Sequence, residues 1–155
     1  MRYTSSIVIQ KPIDQTVKDF RNYKNMKHWQ KDLVRIKHLN NDNEENRTIS
    51  ELIYNIDNRE ISLIETIIFE DFPEIINITY DSERFYNIQE NTFEALSKDC
   101  TKWTSKNEFK LSGFIKIIGI IKFFSVRNRF NRYMQSFKAF TEEGKSILDP
   151  ISKQL

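Results

Sequence analysis

Glycine is scarce in this chain, with three in 155 residues at Gly113, Gly119 and Gly144. Phosphate-cradling loops and dinucleotide fingerprints need several closely spaced glycines so that the backbone can approach the phosphate. P-loop and Rossmann chemistry is therefore excluded. Cysteine is scarcer still. Cys100 stands alone, which rules out an intrachain disulfide. With only His28 and His38 beside it, a structural zinc site has too few ligands, and neither a metal nor a cofactor is expected. Long hydrophobic runs are missing as well. The longest apolar stretch, Phe114 to Phe124, covers 11 residues, includes Lys116 and Lys122, and is too short to cross a bilayer. The first ten residues carry one early positive charge but no long apolar core of the signal-peptide kind. A cytoplasmic protein is the expectation.

What is present is an ordinary balance of 39% hydrophobic and 30% charged residues, in a chain long enough to bury one core. A single domain over residues 1–145 is expected, followed by a tail over 146–155. The net charge of +2 hides a segregation. Residues 1–41 hold 9 basic and 3 acidic side chains, residues 42–94 hold 3 and 14, and residues 95–155 hold 12 and 5. Such asymmetry marks either a surface for an anionic partner or segments that neutralise one another in the fold.

Hydrophobic periodicity supplies the element order. Tyr3 to Gln10 reads as a strand. A helix starting near Pro12 follows, with Ile13, Val17 and Phe20 on one face. Asn22 to Asn25 breaks it, and a second short helix carries Met26 and Trp29. Strands are expected at Leu33–Leu39, Arg47–Tyr54, Arg59–Phe69, Glu74–Asp81, Phe85–Leu96 and Thr101–Leu111. Asn40 to Asn46 is a polar loop, and Asp57-Asn58 suits a tight turn. In the last strand the even positions are solvent chemistry, so Trp103, Ser105, Asn107 and Phe109 point inward. Turn-length connections imply an antiparallel meander. Beyond Gly113, Phe114 to Phe124 is expected as a helical turn that bends into a main helix. Phe123, Val126, Phe130, Tyr133, Phe137 and Phe140, with Met134 beside them, form its apolar stripe. Gly144 suits its C-cap.

This order resembles the helix-grip fold of the SRPBCC superfamily, which includes START lipid-transfer domains, polyketide cyclases and pollen-allergen-like proteins. The stretch from Ile7 to Val17 is similar to the family's opening, and Thr101 to Phe109 is similar to the final strand of small bacterial single-domain members. The resemblance covers roughly residues 3 to 145. It implies an α+β domain in which a curved antiparallel sheet wraps a long C-terminal helix, with two short helices after the first strand. It also implies a cavity between sheet and helix for an apolar or amphipathic ligand. It carries over no catalytic motif.

Glu65 is the sharpest candidate for chemistry. In Ile61 to Phe69 the odd positions are Ile, Leu, Glu, Ile and Phe, so the apolar set faces inward and takes a carboxylate with it. A buried carboxylate without a cation has a raised pKa and serves as a general acid or base. The alternatives are an exposed strand end or pairing with an arginine. Tyr54, Tyr80 and Asn107 are inward polar groups able to orient a ligand. Phe93, Trp103, Phe109, Phe130 and Met134 are either cavity walls or plain core. The cations Lys116, Lys122, Arg127, Arg129 and Arg132 among apolar side chains suggest a peripheral membrane contact through 114–132 or a solvated face over packed isoleucines. No aromatic stacking platform for nucleic acid is evident. The first reading is binding of a small hydrophobic or amphipathic molecule, lipid-like or polyketide-like. The alternatives are a cyclase- or hydratase-type enzyme using Glu65, or a protein-interaction regulator. Oligomeric state is not legible.

Overall fold

The computed structural model describes residues 1–39, 47–83, 85–111 and 115–150, and for residues 111 and 115–124 the backbone alone. The expected polar loop at Asn40–Asn46, the exit at Gly113 and the last five residues lie outside the described set, as do the side chains of the apolar 114–124 segment.

Strand β1 (Arg2–Ile9) leads into helix α1 (Ile13–Arg21) and the single turn α2 (Tyr23–Met26), and six strands then follow in sequence. They are β2 (Leu33–His38), β3 (Ile49–Ile56), β4 (Arg59–Asp71), β5 (Ile75–Asp81), β6 (Phe85–Ser97) and β7 (Cys100–Leu111). The sheet order is β1-β7-β6-β5-β4-β3-β2, and every pairing is antiparallel. The meander places β1 and β2 at opposite edges, so α1 and α2 form the link between the two edges. The tight turn between β3 and β4 is the one expected: Asp57 and Asn58 both take positive φ, 52° and 61°, the type I′ pattern that matches strand twist.

Helix α3 (Ile115–Glu143) closes the fold as one element of 29 residues, roughly 43 Å long at 1.5 Å per residue. The expected opening turn and main helix form one continuous helix. Gly144, with φ 67°, ends it, and its N–H bonds to the Phe140 carbonyl. The second short helix ends at Met26, and Trp29 sits in the turn beyond it. Asn22 does not simply break the chain. Its side chain accepts from the Lys24 N–H and caps α2.

The apolar stripe of α3 faces the sheet. Phe137 and Trp103 are both 0% exposed. Phe137 meets Phe20, Trp29 and Trp103 edge-on at ring distances of 5.2–5.9 Å. Phe93 stacks on Trp103 at 6.0 Å. This aromatic wedge locks α1, α3 and strands β6 and β7 into one core. The segment after α3 is held down too: Ser146 Oγ lies 2.8 Å from His28 Nδ1, and the Ile147 N–H donates to the His28 carbonyl. Part of the charge segregation closes on itself, since Arg21 from the basic first third pairs with Glu70 from the acidic middle at 3.1 Å.

Candidate functional site

Side chains alternate along a strand, so cross-strand partners share a face and lie close enough to interact. The pairing register therefore maps the concave surface. One rung runs Ser50–Glu65–Tyr80–Asn87–Phe109 across five strands. The next runs Ile67–Ile78–Gln89–Asn107–Tyr3. A third runs Ile76–Asn91–Ser105–Ser5, and a fourth brings Phe93, Trp103 and Ile7 together. Polar side chains thus form a continuous band across the middle of the sheet, bounded by the aromatic wedge on one side. Ser5, Ser50, Glu65, Asn87, Gln89, Asn91, Ser105 and Asn107 are all buried.

Glu65 is 3% exposed. Tyr23 Oη on α2 donates to its Oε1 at 2.8 Å, and the Tyr80 hydroxyl is a second partner. Burial pushes the Glu65 carboxyl above its usual value, and the two phenol donors pull it part of the way back. The tyrosines answer in kind. Burial first, and then the negative field of Glu65, raise Tyr80 and Tyr54 well above the ordinary phenol value. Tyr54 Oη donates to Gln30 Oε1 at 2.6 Å. Among the described residues no arginine pairs with Glu65, the alternative considered for it: Arg21 pairs instead with Glu70 and sits 3.9 Å over the Phe72 ring.

The other half of the band is an amide ladder. Gln89 Nε2 donates to Ser105 Oγ at 2.9 Å, Asn107 Nδ2 donates to the same oxygen at 3.0 Å, and Asn87 Nδ2 donates to Asn107 Oδ1 at 3.2 Å. Asn91 accepts from Trp103 Nε1 at 3.1 Å and donates to the Ile76 carbonyl at 3.2 Å. Ser5 Oγ donates to Asn131 Oδ1 on α3 at 2.6 Å. Two buried polar atoms of this region have no partner: Asn87 Oδ1 and Trp29 Nε1. Buried polar groups are almost always paired, so each such atom asks for an explanation.

Trp29 lines a cavity with Glu65, Tyr23, Tyr80, Gln30 and Met26, closed on its apolar side by Phe20, Ile67, Ile76 and Ile78. Its volume is about 40 Å³, room for roughly two or three waters. A larger cleft of about 400 Å³ opens on the outside between α1 and the β4–β5 turn, lined by Asp14, Val17, Lys18, Arg21, Asn22, Phe72 and Pro73. It is open to solvent, and none of the buried polar side chains of the band lines it. The cavity expected is one between the sheet and the C-terminal helix; the small cavity lies between the sheet and the α1–α2 segment, and no described residue of α3 lines it.

Of the nine expected site residues, Glu65 and Tyr80 share that cavity, and Tyr54 lies close enough for its hydroxyl to feel the carboxylate. Asn107 belongs to the amide ladder on the neighbouring rung. Phe93, Trp103 and Met134 are fully packed core. Phe109 stacks on Tyr3 at 6.0 Å, and Phe130 leans on Tyr3 and Trp103. One inward expectation fails. Phe69 is 51% exposed, because a bulge between Ile67 and Phe69 shifts the register and turns the strand's parity over. Tyr23, Trp29, Gln30, Asn87, Gln89 and Asn91 were not anticipated. The signal available for the last three was their shared parity with Phe93.

No family model matches the chain, and no curated protein matches it. Solved structures do. A START superfamily protein from Mycobacterium smegmatis superposes with a TM-score of 0.76 at 10% identity, covering 93% of this chain and 99% of that one. Ara h 8.0201 gives 0.71 at 10% identity, with 91% and 97% covered. The Zhui aromatase/cyclase from Streptomyces sp. R1128 gives 0.70 at 8% identity, with 95% and 99% covered. At these identities the likeness establishes the fold. The chain has the helix-grip architecture that its opening and final strand lead one to expect.

Proposed function

We propose that the protein binds a small amphipathic molecule on the concave face of its sheet. Glu65, Tyr80 and Tyr23 hold the polar end, and Phe20, Met26, Trp29, Ile67, Ile76 and Ile78 meet the apolar part. The observation that carries this reading is the buried polar band itself. A core that served only stability would gain from apolar side chains at these positions, because each unpaired buried group costs about 1–3 kcal/mol. Here a carboxyl lies buried with no cation paired to it, and Trp29 Nε1 and Asn87 Oδ1 lack partners. A ligand with a carbonyl or hydroxyl group supplies what they lack. Ligand-binding and cyclase proteins among the fold's neighbours support the general class. Trp103, Phe93 and Met134 act as the rigid floor behind the site, while Asn107, Phe109 and Phe130 border it at the far end of the band.

The cavity's volume sets a condition on this reading: any ligand larger than a few waters displaces α1 and α2 from the sheet. The test is organic extraction of the purified protein followed by mass spectrometry, with thermal shift against a panel of fatty acids, sterols and aromatic polyketides. A co-purified amphiphile, or stabilisation that Glu65→Gln abolishes, is the expected result. No extractable molecule and no shift with any compound would refute it. A second reading, acid–base catalysis of the cyclase or hydratase kind, is favoured by one observation: Glu65 combines a raised pKa with two hydroxyl partners. In that case Glu65→Gln abolishes turnover of a bound substrate while leaving its affinity in place.

A further inference from the structure

Glu65 lies in the interior, yet a line of hydroxyl groups leads from it to the sheet edge. Tyr23 Oη donates to Glu65 Oε1 at 2.8 Å. Ser50, wholly buried and the cross-strand partner of Glu65, adjoins the same hydroxyl. Ser50 Oγ lies 2.9 Å from Nδ1 of His38. His38 is exposed on the edge strand β2, and its ring meets the Tyr23 ring edge-on at 4.8 Å. Four elements, α2, β2, β3 and β4, thus bring four exchangeable groups into one line.

We propose that His38, Ser50 and Tyr23 form a proton relay that charges and discharges Glu65 from solvent. It rests on the reading of Glu65 as the reactive polar group of the site. In the inward step, imidazolium His38 gives its Nδ1 proton to Ser50 Oγ. Ser50 passes its own hydroxyl proton to Tyr23 Oη, and Tyr23 passes its phenol proton to Glu65 Oε1. The balance is one imidazolium and one carboxylate converted to neutral imidazole and carboxylic acid, with both hydroxyls restored. Solvent then reprotonates the exposed ring. An imidazole suits the outer position because its two ring nitrogens let it take a proton on one side and yield one on the other.

The arrangement favours this route on physical grounds. A neutral serine and a neutral tyrosine cross the buried stretch without either holding a charge for long, which matters where an isolated charge is costly. The groups facing Glu65 from the packed elements are Tyr23 of α2, Tyr54 of β3 and Tyr80 of β5, with Arg21 and Glu70 at the rim of the cavity as a closed ion pair. The competing route is water in the small cavity, which touches Glu65 from the α1 side.

The two routes separate experimentally in the ligand-free protein. With ¹³C-labelled glutamate, the Glu65 carboxyl resonance is assigned by its loss in Glu65→Gln and followed through a pH titration. The relay requires a single population-averaged signal in the unaltered protein. It requires exchange at least tenfold slower in Ser50→Ala, seen as broadening or splitting near the midpoint, and recovery in Ser50→Thr, which restores the hydroxyl. His38→Gln, at an exposed position, must slow exchange as well, and it carries the test if Ser50→Ala does not fold. Slow exchange in the unaltered protein, or exchange in His38→Gln and Ser50→Ala as fast as in the unaltered protein, would overturn the proposal and assign proton entry to cavity water. Because no ligand is added, failure here is distinct from failure of the binding reading.

Discussion

Two asparagines two rungs apart on β6 should respond to the same substitution in opposite ways. Asn91 is fully used: it accepts from Trp103 Nε1 and Gln89 Nε2 and donates to the Ile76 carbonyl. Asn87 makes one bond, to Asn107 Oδ1, while its own Oδ1 has no partner. Asn91→Val strands the indole N–H in the core and removes a bond from the Ile76 carbonyl. At about 1–3 kcal/mol for the stranded donor and about 1 kcal/mol for the lost bond, the cost is ~2–4 kcal/mol. Asn87→Val strands Asn107 Oδ1 but removes the unmet Asn87 Oδ1. One orphan replaces another, and the lost bond of about 1 kcal/mol is offset by the better strand preference and burial of valine. The net change should stay within ~1 kcal/mol of zero.

Urea unfolding at pH 7, followed by far-ultraviolet dichroism and tryptophan fluorescence, measures both. The slopes must match the parent's, so that midpoints alone report stability. A gap of about 2 kcal/mol or more between the variants separates the part of the band that supports the core from the part that stability does not need. If Asn87→Val costs as much as Asn91→Val, then Asn87 is structural and the argument for a site built against stability fails.

Phe137→Ala should lower stability by about 3–5 kcal/mol, because the ring is fully enclosed by Phe20, Trp29 and Trp103; this corresponds to a melting-temperature drop of roughly 6–20 °C, and a loss under ~1 kcal/mol would detach α3 from the concave face. Glu65 supplies a pH dependence with a definite sign. Its folded-state pKa is raised above the ordinary 4.5, so between those two values the native state binds more protons than the unfolded chain, and stability falls as pH rises, then levels off. Glu65→Gln should remove that fall from urea midpoints taken between pH 4 and 8, and parallel curves for the two proteins would contradict the buried-acid assignment.

The fold was legible wherever one physical constraint spoke alone. In β7, Lys102, Thr104, Lys106, Glu108 and Lys110 alternate with the inward set, and no other parity keeps the charges in water. Asp57-Asn58 tolerate the positive φ that a two-residue hairpin demands. The failures occur where two constraints compete. Phe69 follows the parity of Glu65 until the bulge intervenes, and a bulge leaves no mark in the hydrophobic pattern. Asn87, Gln89 and Asn91 alternate with Ile88, Glu90 and Thr92. Both sets are largely polar, so the pattern does not choose a face, and only cross-strand register with the clear pattern of β7 decides it. Tyr23, Trp29 and Gln30 lie in a single helical turn and the bend after it, too short for any periodicity to develop. Glu65 was found because its neighbours are apolar, which is also the reason its pKa rises.

The site's two sides are held by different means, and this determines what can enter. The floor is sheet, cross-linked by backbone ladders and by the amide network behind Asn87 and Asn107, with the aromatic wedge fixed at its boundary. The roof is the α1–α2 link between opposite edges. Phe20 and Trp29 anchor it into the wedge. Between these two anchors it is tied by the Tyr23–Glu65 bond and the half-exposed Arg21–Glu70 pair, an exposed pair of this kind being worth about 0–1 kcal/mol. Releasing the short segment that carries Tyr23 therefore breaks fewer contacts than deforming the floor. It also breaks the one contact through which the proposed relay reaches Glu65. On the proposed reading, a ligand whose polar end enters between Tyr23 and Glu65 keeps the phenol as a partner and separates the carboxyl from the edge histidine, so the relay would set the protonation state of Glu65 before binding.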